Sequence, residues 1–179
     1  HLSERDLRKE IKANAYERLV NKPDKINNII PEKYSITTDM RNPVIIEVGK
    51  EIKSEKDLEL SILANLDFFF KQLGNGFTYV AHQYKIIENT HNYYIDILLF
   101  NIKLNCYVVV ELKLRSLRKE DKAQIEFYMN LVDKQIKEIY HNKTIGIIVT
   151  KESDEFIVNF VSGENIIPLS YELKQLEVL

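Results

Sequence analysis

Apolar positions along this chain change period several times, and each change marks an element. From Leu2 to Val20, Leu7, Ile11, Ala15 and Leu19 recur at helical spacing, with Ser3 as N-cap and Asp6 three residues on. Residues 21–56 hold Pro23, Pro31 and Pro43 and no strong period, so they read as a connector with short elements. A second helical stripe, Leu58, Ile62, Leu66, Phe69 and Leu73, begins at a cap on Ser54 or Asp57. Gly74 stops it and Asn75-Gly76 turns the chain. Strand character then runs from Phe77 to Ile87, residues 88–92 turn, and two apolar strands follow at Tyr94–Phe100 and Tyr107–Leu114. Ser116 caps a helix from Leu117 to about Tyr140, buried through Ile125, Tyr128, Met129, Val132, Ile136 and Ile139. Thr144 to Thr150 is a continuous apolar run, the pattern of a central strand covered on both faces. Phe156–Val161 fits either a strand or a short helix, and Ile166–Leu173 closes the domain as a strand. The order helix, three strands, helix, strand predicts an α/β sandwich with a mixed sheet, its second helix long enough to cross over to a parallel strand.

Charge interrupts the two adjacent apolar strands. Asp96 stands in the first, and Glu111 and Lys113 stand in the second, where packing alone favours Val or Ile. A two-residue turn at Lys103-Leu104 pairs positions whose numbers sum to 207, which sets Asp96 opposite Glu111. Residues two apart share a face, so Lys113 points with Glu111. Glu-x-Lys alone is usually a solvated face. A second carboxylate at the paired position changes that reading, because like charges directly opposite destabilise a sheet unless a cation offsets them. A hard divalent ion such as Mg²⁺ suits two carboxylates, a backbone carbonyl and water.

Composition narrows the class. Hydrophobic residues make up 45% and charged residues 29% of the 179, as in a soluble globular domain, and no apolar run reaches the ~18 residues of a membrane span. No signal-peptide pattern opens the chain. A single cysteine, Cys106, excludes internal disulfides and fits a reducing cytoplasm. The net charge of −2 gives no global argument for nucleic acid, yet residues 101–151 carry ten Lys or Arg against six acids, a balance of +4. Arg115, Arg118, Lys119 and Lys122 follow the Glu-x-Lys strand at once, where a polyanion could dock as readily as water. His1, His82, His91 and His141 lack zinc spacing, and there is no Walker loop or Gly-x-Ser-x-Gly elbow.

The strand order, with Asp and then Glu-x-Lys on consecutive strands, resembles the PD-(D/E)XK nucleases of restriction-endonuclease-like fold. The detailed pattern is similar to the YhcG-type branch. It is carried by Leu73-Gly74-Asn75-Gly76-Phe77, Gln83-Tyr84, Tyr94-Ile95-Asp96, the run from Leu104 to Lys113, Phe127-Tyr128, Ile145-Gly146 and Tyr171-Glu172-Leu173. It spans roughly residues 50–175. Ile95 replaces the proline of the motif's first half. The resemblance implies an αβββαβ core with a central mixed sheet flanked by helices. Residues 1–50 would be the end of a helical N-terminal domain and connector, and 51–179 the nuclease domain. The opening helix looks like the tail of that family's helical domain, so the chain reads as a fragment.

By the same resemblance, Asp96 and Glu111 match the metal-binding acids, with the Leu112 carbonyl as third ligand. Lys113 matches the lysine at the scissile phosphate and its attacking water. Glu59 stands where the fold often supplies an additional acid, and Gln124 where it places an accessory glutamine. Tyr128, one turn on, is read as core, and Gln83 matches a recurrent family residue without an assigned role. The implied activity is Mg²⁺-dependent endonucleolytic hydrolysis of DNA, with Mn²⁺ as substitute. Expected partners are DNA and no membrane, with a homodimer allowed. Two other readings stand beside it: a nucleic-acid-binding or assembly module that keeps the fold without turnover, and a purely structural α/β domain. Metal-dependent cleavage separates the first from both.

Overall fold

Alternation between two covered faces organises residues 39–176, the part of the chain that this computed structural model describes. The helix expected from Leu2 to Val20 lies outside those residues. Contacts divide the chain between Ser35 and Ile36, so every described residue falls in the second unit. In chain order the elements are β1 (Val44–Val48), α1 (Glu55–Ala64), α2 (Leu66–Leu73), β2 (Phe77–Glu88), β3 (His91–Asn101), β4 (Cys106–Ser116), α3 (Lys119–Gln135), β5 (Ile145–Lys151), α4 (Glu155–Val161) and β6 (Ile166–Gln175). One six-stranded mixed sheet runs β1-β6-β5-β4-β3-β2. The β2–β3 and β3–β4 pairs are antiparallel, while β4–β5, β5–β6 and β1–β6 are parallel. It is the restriction-endonuclease-like α/β sandwich that the strand order implied.

Alternate residues feed two cores. Ile97, Leu99, Val108, Val110, Ile147 and Val149 pack with Leu58, Ile62, Phe69 and Leu73 of α1 and α2. Leu98, Val109 and Ile148 pack on the other face with Ile125 and Val132 of α3 and Val161 of α4. β5 is buried from Ile145 to Thr150, as a parallel strand covered on both sides must be.

Several elements differ from the sequence reading, each for a local reason. The expected helix to Leu73 is two helices. Asn65 adopts φ −141°, ψ 58°, ends α1 and caps α2 by accepting from the Phe68 N–H at 3.4 Å. Its short amide competes with the helical backbone, and Asn65 Nδ2 also donates to Glu47 at 3.0 Å. The helix expected to reach Tyr140 ends at Gln135, leaving Ile139 and Tyr140 exposed. It starts after Arg118 rather than Ser116, because Ser116 is still in β4, where its hydroxyl donates to the Glu152 carbonyl at 2.7 Å. Residues 44–48, inside the expected connector, are a sheet strand: Val44 pairs with Tyr171 and Val48 with Gln175. The undecided Phe156–Val161 segment is helical, capped by Asp154 accepting from the Phe156 and Ile157 N–H groups.

Close approach of α3 to β5 depends on Gly146. A Cβ there would stand 2.5 Å from Ile125 Cγ1 and 2.7 Å from Met129 Sδ, and Ile125 is fully buried with little room to yield. Gly146→Ala is therefore expected to destabilise by about 1–3 kcal/mol through overpacking. A chemical denaturation midpoint unchanged from wild type would show that the helix yields freely.

Candidate active site

The sheet opens where β3, β4 and β5 stop pairing regularly. Pairing of β3 with β4 runs from Asn101–Cys106 to Ile97–Val110, all with residue numbers summing to 207. The connection is a four-residue loop, residues 102–105, rather than the expected two-residue turn. Adding one residue at each end of the turn leaves the sum unchanged, so the register survives. Beyond Ile97 the ladder ends, and the Leu112 N–H donates to Asp96 Oδ2 at 2.9 Å. Ile95 and Ile97 pack into opposite cores although regular alternation would place them together. The strand therefore slips phase at Asp96. On the other side, β4 and β5 shift register between Leu112 and Ser116.

Glu111 and Lys113 lie in this opening, both buried. Lys113 Nζ donates to Glu111 Oε1 at 2.7 Å, and Gln124 Nε2 on α3 donates to the same oxygen at 3.0 Å. Glu111 Oε2 is buried with no hydrogen-bond partner. Burial and the charge of Asp96 push the Glu111 carboxyl up to about 7, against the opposing pull of Lys113. Asp96 is also raised, by burial first; the Leu112 N–H, Lys113 and Gln83 counteract, while Glu59 adds repulsion. Burial works to lower Lys113, but its hydrogen bond to Glu111 and the surrounding negative charge outweigh it, so the ammonium stays protonated.

Glu59 and Gln83 complete the cluster. Glu59 is buried on α1, and Gln83 Nε2 donates both to Glu59 Oε2 and, at 3.3 Å, to Asp96 Oδ1. Gln83 is the residue for which sequence reasoning assigned no role, yet a signal existed. A two-residue turn at Asn89-Thr90 pairs numbers summing to 179, as His82–Ile97 and Tyr84–Ile95 do, which puts residue 83 opposite Asp96. Tyr128 packs at the α3-side core and shares a hydrogen bond with Gln124; burial raises its hydroxyl.

The basic residues divide by their partners. Arg115 forms a two-pronged pair with buried Asp121 at 2.7 and 2.8 Å. Burial alone would raise Asp121, but Arg115 and the Arg118 N–H hold it below its ordinary value. Lys122 donates to the Phe160 carbonyl at 3.0 Å and lies over that ring. Arg118 and Lys119 are exposed at the start of α3.

A divalent cation fits these groups on one observation above all: the orphaned Glu111 Oε2, beside a second carboxylate that raises its pKa. Among the described residues no three His, Cys, Asp or Glu side chains are gathered closely enough to hold an ion unaided. An ion here would keep water ligands, as Mg²⁺ does.

The raised Glu111 has a consequence for metal-free stability. Between the ordinary value of 4.5 and about 7 the folded state keeps a proton that the unfolded chain has lost. Stability in EDTA therefore falls as pH rises through that window, by about 3 kcal/mol at most from this group. Glu111→Gln removes this component, so the variant gains on wild type as the pH is raised. Denaturation in EDTA at pH 5 and pH 7.5 checks it; an unchanged gap between the two proteins would contradict the assignment.

The chain is 27% identical over 157 residues to YhcG of Escherichia coli (strain K12), a protein named as a candidate nuclease; the match takes in 84% of this chain and 42% of that protein's length. Among solved structures, a repair endonuclease from Pyrococcus abyssi covers 72% of this chain over 50% of its own, at 19% identity and TM-score 0.48. EndoMS in complex with dsDNA covers 70% over 47% of its own, at 17% identity and TM-score 0.45. No helix among the described residues is long and apolar enough to cross a membrane. The model of the YhcG PDDEXK nuclease domain matches residues 38–174, more than half of the sequence, and the chain belongs to that family.

Proposed function

We propose that this domain cleaves phosphodiester bonds within DNA in a divalent-metal-dependent reaction. Asp96 and Glu111 hold the ion, Glu59 is the additional acid, and Lys113 acts at the reacting phosphate. The observation that carries the proposal is a buried Glu111 with one oxygen held by Lys113 and Gln124 and the other without a partner. A bound Mg²⁺, or Mn²⁺ in its place, supplies charge neutralisation at the phosphate and lowers the pKa of a bound water.

The chain's own groups do the rest. The Leu112 N–H fixes the rotamer of Asp96 through Oδ2, and the Leu112 carbonyl is the proposed third oxygen ligand. Lys113 keeps its proton and brings positive charge to the oxyanion that develops on the phosphate. Gln124 holds Glu111 Oε1 as Lys113 turns toward substrate. Arg118 and Lys119, exposed beside the site, are the proposed phosphate contacts along the DNA. Arg115 and Lys122 instead secure the β4–α3 corner and the α3–α4 contact through Asp121 and Phe160. The single cysteine, Cys106, is buried and free, as suits a reducing cytoplasm.

A cleavage panel tests the reading: linear, supercoiled, nicked and branched DNA, and RNA, each with Mg²⁺ or Mn²⁺ against EDTA. Metal-dependent cleavage of DNA is expected. Salt-sensitive binding without cleavage selects the non-catalytic module, and cleavage of RNA alone overturns the choice of substrate.

A further inference from the structure

We infer that Gln83 is a positioning residue that holds Glu59 and Asp96 in the orientation required to bind a divalent cation; the inference rests on the nuclease reading above. Three observations on β2 carry it. Gln83 lies opposite Asp96 in the β2–β3 register, between the His82–Ile97 and Tyr84–Ile95 pairs. Its backbone is left-handed, φ 45°, a conformation that a non-glycine residue rarely adopts and that redirects a side chain out of regular strand alternation. Its Nε2 reaches two carboxylates from different elements, Glu59 of α1 and Asp96 of β3.

The chemistry of the amide decides what this arrangement does. Nε2 has two hydrogens and serves one carboxylate with each. The opposite flip would aim the amide oxygen at both acids. For Glu59, buried at 3% exposure, Gln83 is the only side-chain hydrogen-bond partner among the described residues. An amide carries no charge, so it orients the two acids without neutralising them, and their joint negative charge stays available to a cation. A lysine at this position would neutralise them and compete. Donors that hold metal-binding carboxylates typically govern metal affinity by about 10- to 100-fold.

Gln83→Asn is the sharp test. Asparagine tolerates the left-handed backbone, but its amide is one methylene shorter and cannot span both acids. Calorimetry with Mn²⁺ and Mg²⁺ in the absence of DNA should show cation binding weakened by about 10- to 100-fold. Turnover at saturating cation should stay within a few-fold of wild type, so the loss falls on the metal's apparent KM. In a Glu59→Gln background, Gln83→Asn should have a much smaller effect, because one of its two targets is gone. Gln83→Lys should raise the Tm in EDTA while weakening cation binding, a split that a mere strut would not give. A dissociation constant within twofold of wild type for Gln83→Asn, with Tm lowered equally in EDTA and in Mg²⁺, would overturn the inference. Should that variant not fold, wild-type cation affinity in Gln83→Lys would overturn it equally. Failure of the nuclease reading looks different: wild type itself would bind no divalent cation and cleave nothing.

Discussion

Asp96→Asn is expected to reduce metal-dependent cleavage by at least ~10³-fold while the Tm in EDTA holds or rises, since lost electrostatic stabilisation of this kind typically costs two to three orders of magnitude and a metal ligand is lost with it. The side-chain oxygen of asparagine can still accept from the Leu112 N–H, so the contact that replaces the β3–β4 ladder is kept. What disappears is a negative charge that raises Glu111 and is itself raised by burial and by Glu59. The metal-free site relaxes while the metal-loaded site loses a ligand. Differential scanning in EDTA and in Mg²⁺ distinguishes the two effects: the Mg²⁺-induced rise in Tm seen for wild type should shrink or vanish. Metal-dependent cleavage retained in the purified variant would remove Asp96 from the catalytic set.

The hairpin of β3 and β4 shows why much of this site is readable from a sequence. Apolar alternation fixes which residues are inward, and the sum of paired numbers is insensitive to how many residues the turn holds. The pairs up to Ile97–Val110 therefore keep the expected register although the loop is four residues and not two, and Asp96 and Glu111 stand one position beyond the last of them. The run from Ile145 to Thr150 reads as a doubly covered strand because it is too short for a typical helix and rich in β-branched residues. Other features depended on contacts outside the element concerned. β1 is four β-branched residues in five between Pro43 and Gly49, a strand signal obscured by the proline-rich connector around it, and it is seated in the sheet by its pairing with β6. The break at Asn65 interrupts a stripe, Leu58 to Leu73, whose period alone favours one helix. Arg115 could not be told from a free phosphate ligand, because its partner Asp121 lies across the corner between β4 and α3. The Asn89-Thr90 turn could place Gln83 opposite Asp96, but the left-handed backbone from which its amide reaches both Glu59 and Asp96 is anticipated by no propensity scale.

Lys113 and the exposed pair Arg118 and Lys119 should separate chemistry from docking. Lys113 is buried against Glu111 at 2.7 Å, where a charge acts in a medium of low dielectric. Lys113→Ala is expected to cut single-turnover cleavage by about 10²- to 10³-fold, the range found when a group that stabilises developing oxyanion charge is removed. It also leaves Glu111 with Gln124 as its remaining donor, so that carboxyl should move further up and hold the cation less well at neutral pH. Affinity for DNA should change little, since one ammonium is a small share of the phosphate contacts. Arg118→Ala with Lys119→Ala should do the reverse. Both side chains are exposed, and neither has a hydrogen bond to the carboxylate cluster. Their loss should weaken binding to every DNA sequence and flatten its salt dependence by about two charges' worth of slope. Turnover at saturating DNA should stay near wild type. Affinities at two salt concentrations and single-turnover rates for both variants decide the matter. A Lys113→Ala protein that lost only affinity, or a double variant that lost only rate, would reverse the assignment of chemistry to the cleft and docking to the start of α3.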